Sequence, residues 1–503
     1  MDRRHFLATA TAFSALTASA HVTPAFAKLD EFAHLDGMGQ AALVASGDVS
    51  SGELVEAAIK RIEKLNPILN AVVHKLYDTA RETAAGPLPA GPFTGVPCLI
   101  KDLSELDGAP LTYGSRLFAH NVADRDNGSV VRAKAAGLVV VGKTNTPEFG
   151  FISTTESNLL GAARNPYNTA YHTGGSSGGA AAAVASGMVP FAHASDGGGS
   201  IRIPASICGL VGLKPSRGRL FTNSPQMAGN IAVRLAVSRT VRDTAQILNA
   251  SEFKNSDARF TPTGFIAEAN PRRLRIAFDT KTYTGQEAES DVKDALTKTA
   301  QLCAKLGHRV DEFSTQVVRP EFLDHFMNIW SLSADNIVKN ARIAGLMQGR
   351  WINPERDLEA WTRGLSDLYR RNLARDSKII EKAIAYFSEL ENAYEAFFKN
   401  YDVLLTPVLR KSPLLIGTQD VNAEFDALFA DVTDYVSYTP QYNASGHPAI
   451  SMPLFTNAAG LPIGSQFAAR LGDERTLLEL AYELEAESRW TKRWPEISAV
   501  NLS

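Results

Sequence analysis

The sequence predicts an α/β fold, and three observations carry that reading. Segments with helical apolar spacing alternate with short strands that are apolar on both faces, as strands in covered sheets are. Turn residues separate them. The 503 residues, 45% of them hydrophobic, suffice for a large core. Length by itself leaves one large or two to three smaller domains open.

The elements follow in order. Arg3-Arg4-His5-Phe6-Leu7 opens the chain as a twin-arginine pair before a Phe-Leu step. A mildly apolar Ala/Thr stretch runs to about Ala20, and Ala25-Phe26-Ala27 forms an A-x-A cleavage site before Lys28. Residues 1–27 are therefore expected to be an export signal, with a periplasmic or secreted mature protein. The stretch is too short and too rich in Thr and Ser to span a membrane. Ser50 and Glu53 have capping-box spacing ahead of Val55, Ala58, Ile59, Ile62 and Leu65, and Asn66-Pro67 is expected to stop that helix. The Gly/Pro-rich run 86–97 leads into an apolar strand, Val96 to Ile100, with Lys101 and Asp102 at its end. Residues 130–136 read as helix and 138–142 as a buried strand.

Residues 172–219 hold the densest Gly/Ser run. From about 250 to 400 charge and aromatic content rise, so this segment is expected to cover the core and border the substrate entrance. Within it 290–306 and 355–400 read as helical; 401–407, 443–453 and 461–469 return to strand character. There is no internal repeat and no low-complexity tract.

Composition excludes several classes. Lys+Arg 51 against Asp+Glu 54 gives a net charge of −3 without long single-sign blocks, so a nucleic-acid partner is not expected. Cys98, Cys208 and Cys303 form neither a CxxC pair nor a disulfide framework, and no metal site is expected.

Two strings carry chemistry. Gly174-Gly175-Ser176-Ser177-Gly178-Gly179 precedes a small-residue stretch. As a phosphate cradle it lacks the Lys-Ser/Thr pair of a Walker loop. It also satisfies G-x-S-x-G, but none of His308, His325 or His447 stands in a context that completes a triad; His447 reads as a loop residue between Gly446 and Pro448. The second string is Ser195-Asp196-Gly197-Gly198-Gly199-Ser200-Ile201-Arg202. Its glycines can aim consecutive backbone N–H groups at one point, as an oxyanion hole requires.

With Val96 to Asp102, the loop Gly142 to Glu148, the Cys208 to Arg219 stretch, Asn443 to Pro453 and Gly460-Leu461-Pro462, these strings resemble the amidase signature family, from about residue 30 to 490. The resemblance implies a single domain with a twisted mixed sheet surrounded by helices, and an amidase using no cofactor and no metal. It makes Ser200 the nucleophile, Ser176 a bridging residue reached through a cis peptide, and Lys101 the general base. Gly197, Gly198, Gly199 and Ser200 would form the oxyanion hole, and Asp196 and Arg202 a supporting ion pair. Gly197 departs from the family, which commonly has a larger residue there, and this puts the loop's stiffness in question. The chemistry is consistent with the residue types: a serine needs a base, and a buried lysine can be neutral enough to serve.

The expected partner is a small-molecule amide. No membrane is expected after signal removal, and a homodimer is left open. Ala163 to Asn168 with Arg202 to Cys208 is similar to 6-aminohexanoate cyclic dimer hydrolases; anilides, carbamates and small peptide amides stay open beside cyclic amides. A glutamine-dependent amidotransferase fits the same motifs, though an export signal speaks against it. A non-catalytic nucleotide-binding protein would not need the Lys101, Ser176 and Ser200 trio.

Overall fold

The structure is a computed structural model; it describes residues 31–501 apart from 221–228, 255–257, 314–316, 348 and 350. The expected export signal lies outside the described residues. Eleven strands form one mixed sheet: β1 (Val72–Lys75), β2 (Pro97–Lys101), β3 (Val139–Thr144), β4 (Phe191–Asp196), β5 (Val211–Lys214), β6 (Val233–Ser238), β7 (Arg275–Phe278), β8 (Arg309–Glu312), β9 (Val403–Pro407), β10 (Ala449–Thr456) and β11 (Pro462–Ala469). Their spatial order is β1-β3-β2-β4-β6-β5-β10-β11-β9-β7-β8. β3, β2 and β4 run parallel, as do β9, β7 and β8, while the strands between β4 and β9 are antiparallel.

Helix α1 (Ser51–Leu69) starts as its capping box requires: Ser50 Oγ accepts from Glu53 N–H at 3.2 Å, and Glu53 Oε2 accepts from Ser50 N–H at 2.8 Å. It does not stop at Asn66-Pro67. Proline in a last turn removes a single backbone bond, and Asn66 compensates. Its Oδ1 accepts from Ala71 and Val72 N–H at 2.8 and 2.7 Å, and its carbonyl accepts from Asn70 N–H at 2.8 Å.

α2 (Gly128–Ala135) precedes β3. α3 (Gly178–Ala185) is buried on every side, consistent with its unbroken small apolar sequence. One face of the sheet packs Ile62, Leu99, Val141 and Ala182 in a core that extends to Leu478. The other is covered largely by the 320–400 segment: α4 (Phe322–Met347), α5 (Ala360–Arg375) and α6 (Ile379–Phe397) set Phe326, Trp361 and Phe387 in one cluster with Leu404 and Ala449. The preceding part also contributes β7 and β8, which the sequence reading missed because each is four residues long and flanked by charge. Among the described residues no helix is long and apolar enough to cross a membrane.

Candidate active site

β2 ends on Lys101, whose side chain is fully buried. Successive strand side chains point to opposite sides, so the adjacent Asp102 is directed away from the lysine. Asp102 accepts from Thr112 and forms an ion pair with Lys143 Nζ at 2.9 Å. The Lys101 amine instead meets three hydroxyls: Ser176 Oγ at 2.7 Å, Ser177 Oγ at 2.9 Å and Ser195 Oγ at 3.1 Å. Desolvation pushes its pKa well below the ordinary lysine value; the charge of Arg234 adds to this and that of Asp196 opposes it.

Ser176 follows a cis peptide bond from Gly175. Ser177 donates to the Ser195 carbonyl at 3.2 Å and accepts from Ser195 N–H at 3.3 Å. With its proton committed there, Ser177 takes an N–H from Lys101. Ser177 and Ser195 were not singled out from sequence, although each is adjacent to a residue that was.

Ser200 stands at the end of the glycine loop, between β4 and the one-turn helix Arg202–Ile207. It borders two connected lobes. The first is apolar, with Phe151, Ile152, Tyr283, Phe326, Trp330 and Trp361 beside Gly198. The second is more polar, with Ser176, Ser195, Gly197, Tyr113 and Arg234. Ser176 and Ser200 thus face one space, and Lys101 lies behind Ser176. Phe326, Trp330 and Trp361 bring the 250–400 segment to the cavity.

Asp196 and Arg202 form a bidentate pair, Oδ2 to Nε and Oδ1 to Nη2 both at 2.9 Å, with neither side chain exposed. Arg202 also donates to Gln466 Oε1 at 2.7 Å and Asn443 Oδ1 at 2.6 Å, so every face of the guanidinium is used. Burial by itself would raise the Asp196 pKa, but Arg202 and Asn443 outweigh it and hold the carboxyl at about 2.

Gly199 N–H donates to Asp196 Oδ1 at 2.7 Å, so it supports the loop and does not face the cavity; Gly197, Gly198 and Ser200 do border it. Gly199 has φ +135°, and a Cβ there would collide with Thr439. The unusual Gly197 is also explained, since a Cβ on it would come 3.1 Å from Trp330 Cζ3. The indole occupies the room a larger residue would take. Stiffness comes from Asp196 and from Thr439 Oγ1, which donates to Gly198 O at 2.6 Å.

The histidines of the rejected triad lie elsewhere. His447 contacts Glu395 at 3.1 Å, His308 contacts Glu483 at 2.9 Å, and His325 stacks on Tyr386. None borders either lobe. Cys98, Cys208 and Cys303 are buried free thiols. Among the described residues no group of three His, Cys, Asp or Glu side chains could hold a metal ion.

Known proteins are similar to this chain over most of its length. The Amidase family profile matches residues 53–478. A 6-aminohexanoate-cyclic-dimer hydrolase of Pseudomonas sp. is 36% identical over 492 residues, covering 92% of this chain and 96% of that one. A Mycobacterium leprae chain named as an amidase is 38% identical over 465 residues, covering 92% and 97%. The structure of 6-aminohexanoate cyclic dimer hydrolase complexed with substrate superimposes with a TM-score of 0.84 at 31% identity, covering 92% of this chain and 99% of that one. A bacterial aryl acylamidase gives 0.77 at 27%, covering 91% and 97%. With its eleven-stranded mixed sheet, its two Gly/Ser strings and these relatives, the chain belongs to the amidase signature family and is an amide-hydrolysing enzyme.

Proposed function

We propose that this amidase works through an acyl-enzyme on Ser200, with Ser176 as relay and Lys101 as base. The observation that carries the reading is the surroundings of the Lys101 amine: fully buried, without a carboxylate partner among the described residues, and ringed by three hydroxyls. A neutral amine has two N–H donors and one lone pair. Ser177 and Ser195 take the donors, and the lone pair is left for the Ser176 proton.

As Ser200 Oγ attacks the amide carbon, its proton passes to Ser176 while the Ser176 proton passes to Lys101. The N–H groups of Gly197, Gly198 and Ser200 stabilise the developing oxyanion. The proton returns through Ser176 to the leaving nitrogen, and water then releases the acid. Because Ser176 borders the polar lobe and not the apolar one, the amine departs into the polar lobe and the acyl part occupies the aromatic lobe. The substrate is accordingly a linear or cyclic amide, anilide or carbamate with an apolar acyl side. The likeness to cyclic-dimer hydrolases supports cyclic amides within that range. We also propose that residues 1–27 direct export, on the strength of Arg3-Arg4 and Ala25-Phe26-Ala27.

Two measurements test the catalytic reading. A fluorophosphonate should label one residue, and peptide mapping should place the adduct on Ser200; an adduct on Ser176 would overturn the assignment. A panel of anilides, carbamates, linear amides and cyclic amides should show turnover that rises with the apolar area of the acyl part.

A further inference from the structure

Arg234 is an exposed residue of β6 in the wall of the catalytic cavity. In the β4–β6 ladder it lies directly opposite Ser195. Directly opposed residues of an antiparallel pair project to the same face, and the Ser195 hydroxyl on that face is 3.1 Å from Lys101 Nζ. The guanidinium therefore shares the catalytic face of the sheet with the lysine. The Arg234 charge also helps to lower the pKa of Lys101 and of His193.

Among the described residues no carboxylate pairs with Arg234. The contrast is with Arg202, Arg217 and Arg219, each of which has an acidic partner. Asp102, the carboxylate nearest along the chain to Lys101, is held by Lys143. The stretch 221–228 contains no Asp or Glu. A guanidinium beside a neutral lysine, with no carboxylate paired to it among the described residues, leaves a fixed positive site open to the polar lobe. A guanidinium is suited to a planar oxyanion, which it can hold through two N–H groups.

From this juxtaposition we infer that Arg234 binds a carboxylate on the amine side of the scissile bond, so that the preferred substrates are amides joining an apolar acyl group to an amino acid. The inference rests on the acyl-enzyme reading above, which sends the leaving amine into the polar lobe. The aromatic lobe takes the acyl group, Ser200 and Ser176 hold the amide between the lobes, and Arg234 holds the far end of the amine. Hydrolysis would release the amino acid on the side of the cavity from which Arg234 is exposed.

The test uses phenylacetyl amides of glycine, β-alanine, 4-aminobutanoate and 6-aminohexanoate, each beside the neutral phenylacetyl alkylamide of equal length. At the best spacer, wild-type kcat/KM for the carboxylate should exceed that of its neutral partner by at least about tenfold, the scale of one charge-assisted hydrogen bond. The preference should shrink as ionic strength rises. Arg234→Gln should bring the ratio to within about twofold of one, and Arg234→Lys should restore part of it. A wild-type enzyme that favours the neutral partner at every spacer overturns the proposal without any variant, and so does an Arg234→Gln enzyme that keeps the preference. Hydrolysis of neither series, with Ser200 still labelled by the fluorophosphonate, overturns the substrate class and leaves the acyl-enzyme reading standing. Loss of labelling at Ser200 overturns both.

Discussion

Asp102 Oδ1 and Lys143 Nζ lie 2.9 Å apart with neither side chain exposed, and this pair leaves Lys101 with no carboxylate in contact among the described residues. Adjacent in sequence, Lys101 and Asp102 could have neutralised each other. Strand alternation separates them, and β3 supplies a different lysine to the aspartate.

Lys143→Met should destabilise the enzyme by about 3–5 kcal/mol, because it strands a buried carboxylate. Adding Asp102→Asn should recover much of the loss, although the two single substitutions would each be costly. Urea unfolding of the four species gives the coupling. Additive losses would mean that the ion pair is not the relevant interaction.

Lys101→Ala should lose at least ~10³-fold in kcat, and Lys101→Arg should be no better, since a guanidinium stays protonated. Ser176→Ala should fall substantially, and the double variant should be little worse than Lys101→Ala, because relay and base act as one unit. Wild-type activity should rise with pH through a single ionisation below the free-lysine value of about 10.4, as the depressed pKa of Lys101 requires. Near-normal turnover by Lys101→Arg would move the base elsewhere.

The same group links pH to stability. Between its depressed folded pKa and about 10.4, Lys101 is neutral when folded and protonated when unfolded. The unfolded state then binds the extra proton, so this group's contribution to stability rises with pH across that window. Lys101→Met lacks that dependence. It should be more stable than wild type near neutrality, and its advantage should diminish as pH climbs toward 10. Denaturant unfolding at several pH values checks the sign, and an advantage that grows with pH would contradict it.

Gly197→Ala should cost about 1–3 kcal/mol, because its methyl would push on Trp330, 3.1 Å away, in a packed wall. Trimming the indole with Trp330→Leu should reduce that cost, so the double variant should be more stable than the sum of the two losses implies. Thermal or urea unfolding together with kcat/KM on one neutral amide tests the pair. Independent losses would show that the indole does not occupy the space vacated at position 197.

Mass analysis of exported material should find Lys28 at the N-terminus, and replacing Arg3 and Arg4 by lysine should trap the protein in the cytoplasm with residues 1–27 attached. An N-terminus at Met1 in the exported fraction would remove the signal assignment.

The sequence by itself determined whatever depends on neighbours along the chain. The capping box at Ser50 and Glu53, the strand leading to Lys101, the Asp196–Arg202 pair six residues apart and the glycine loop between them are all local patterns with a physical reason. Its errors lay where a distant group overrode a local rule. Pro67 did not end its helix, because Asn66 bonds beyond the turn. Strands β7 and β8 were hidden because four residues carry too little periodicity to register. Tertiary structure decided what depends on groups remote in sequence: Lys143 claiming Asp102, Ser177 and Ser195 surrounding the amine, Trp330 covering Gly197, and Arg234 opposite Ser195. These contacts join residues tens to more than a hundred positions apart, and only the strand order of the sheet brings them within reach.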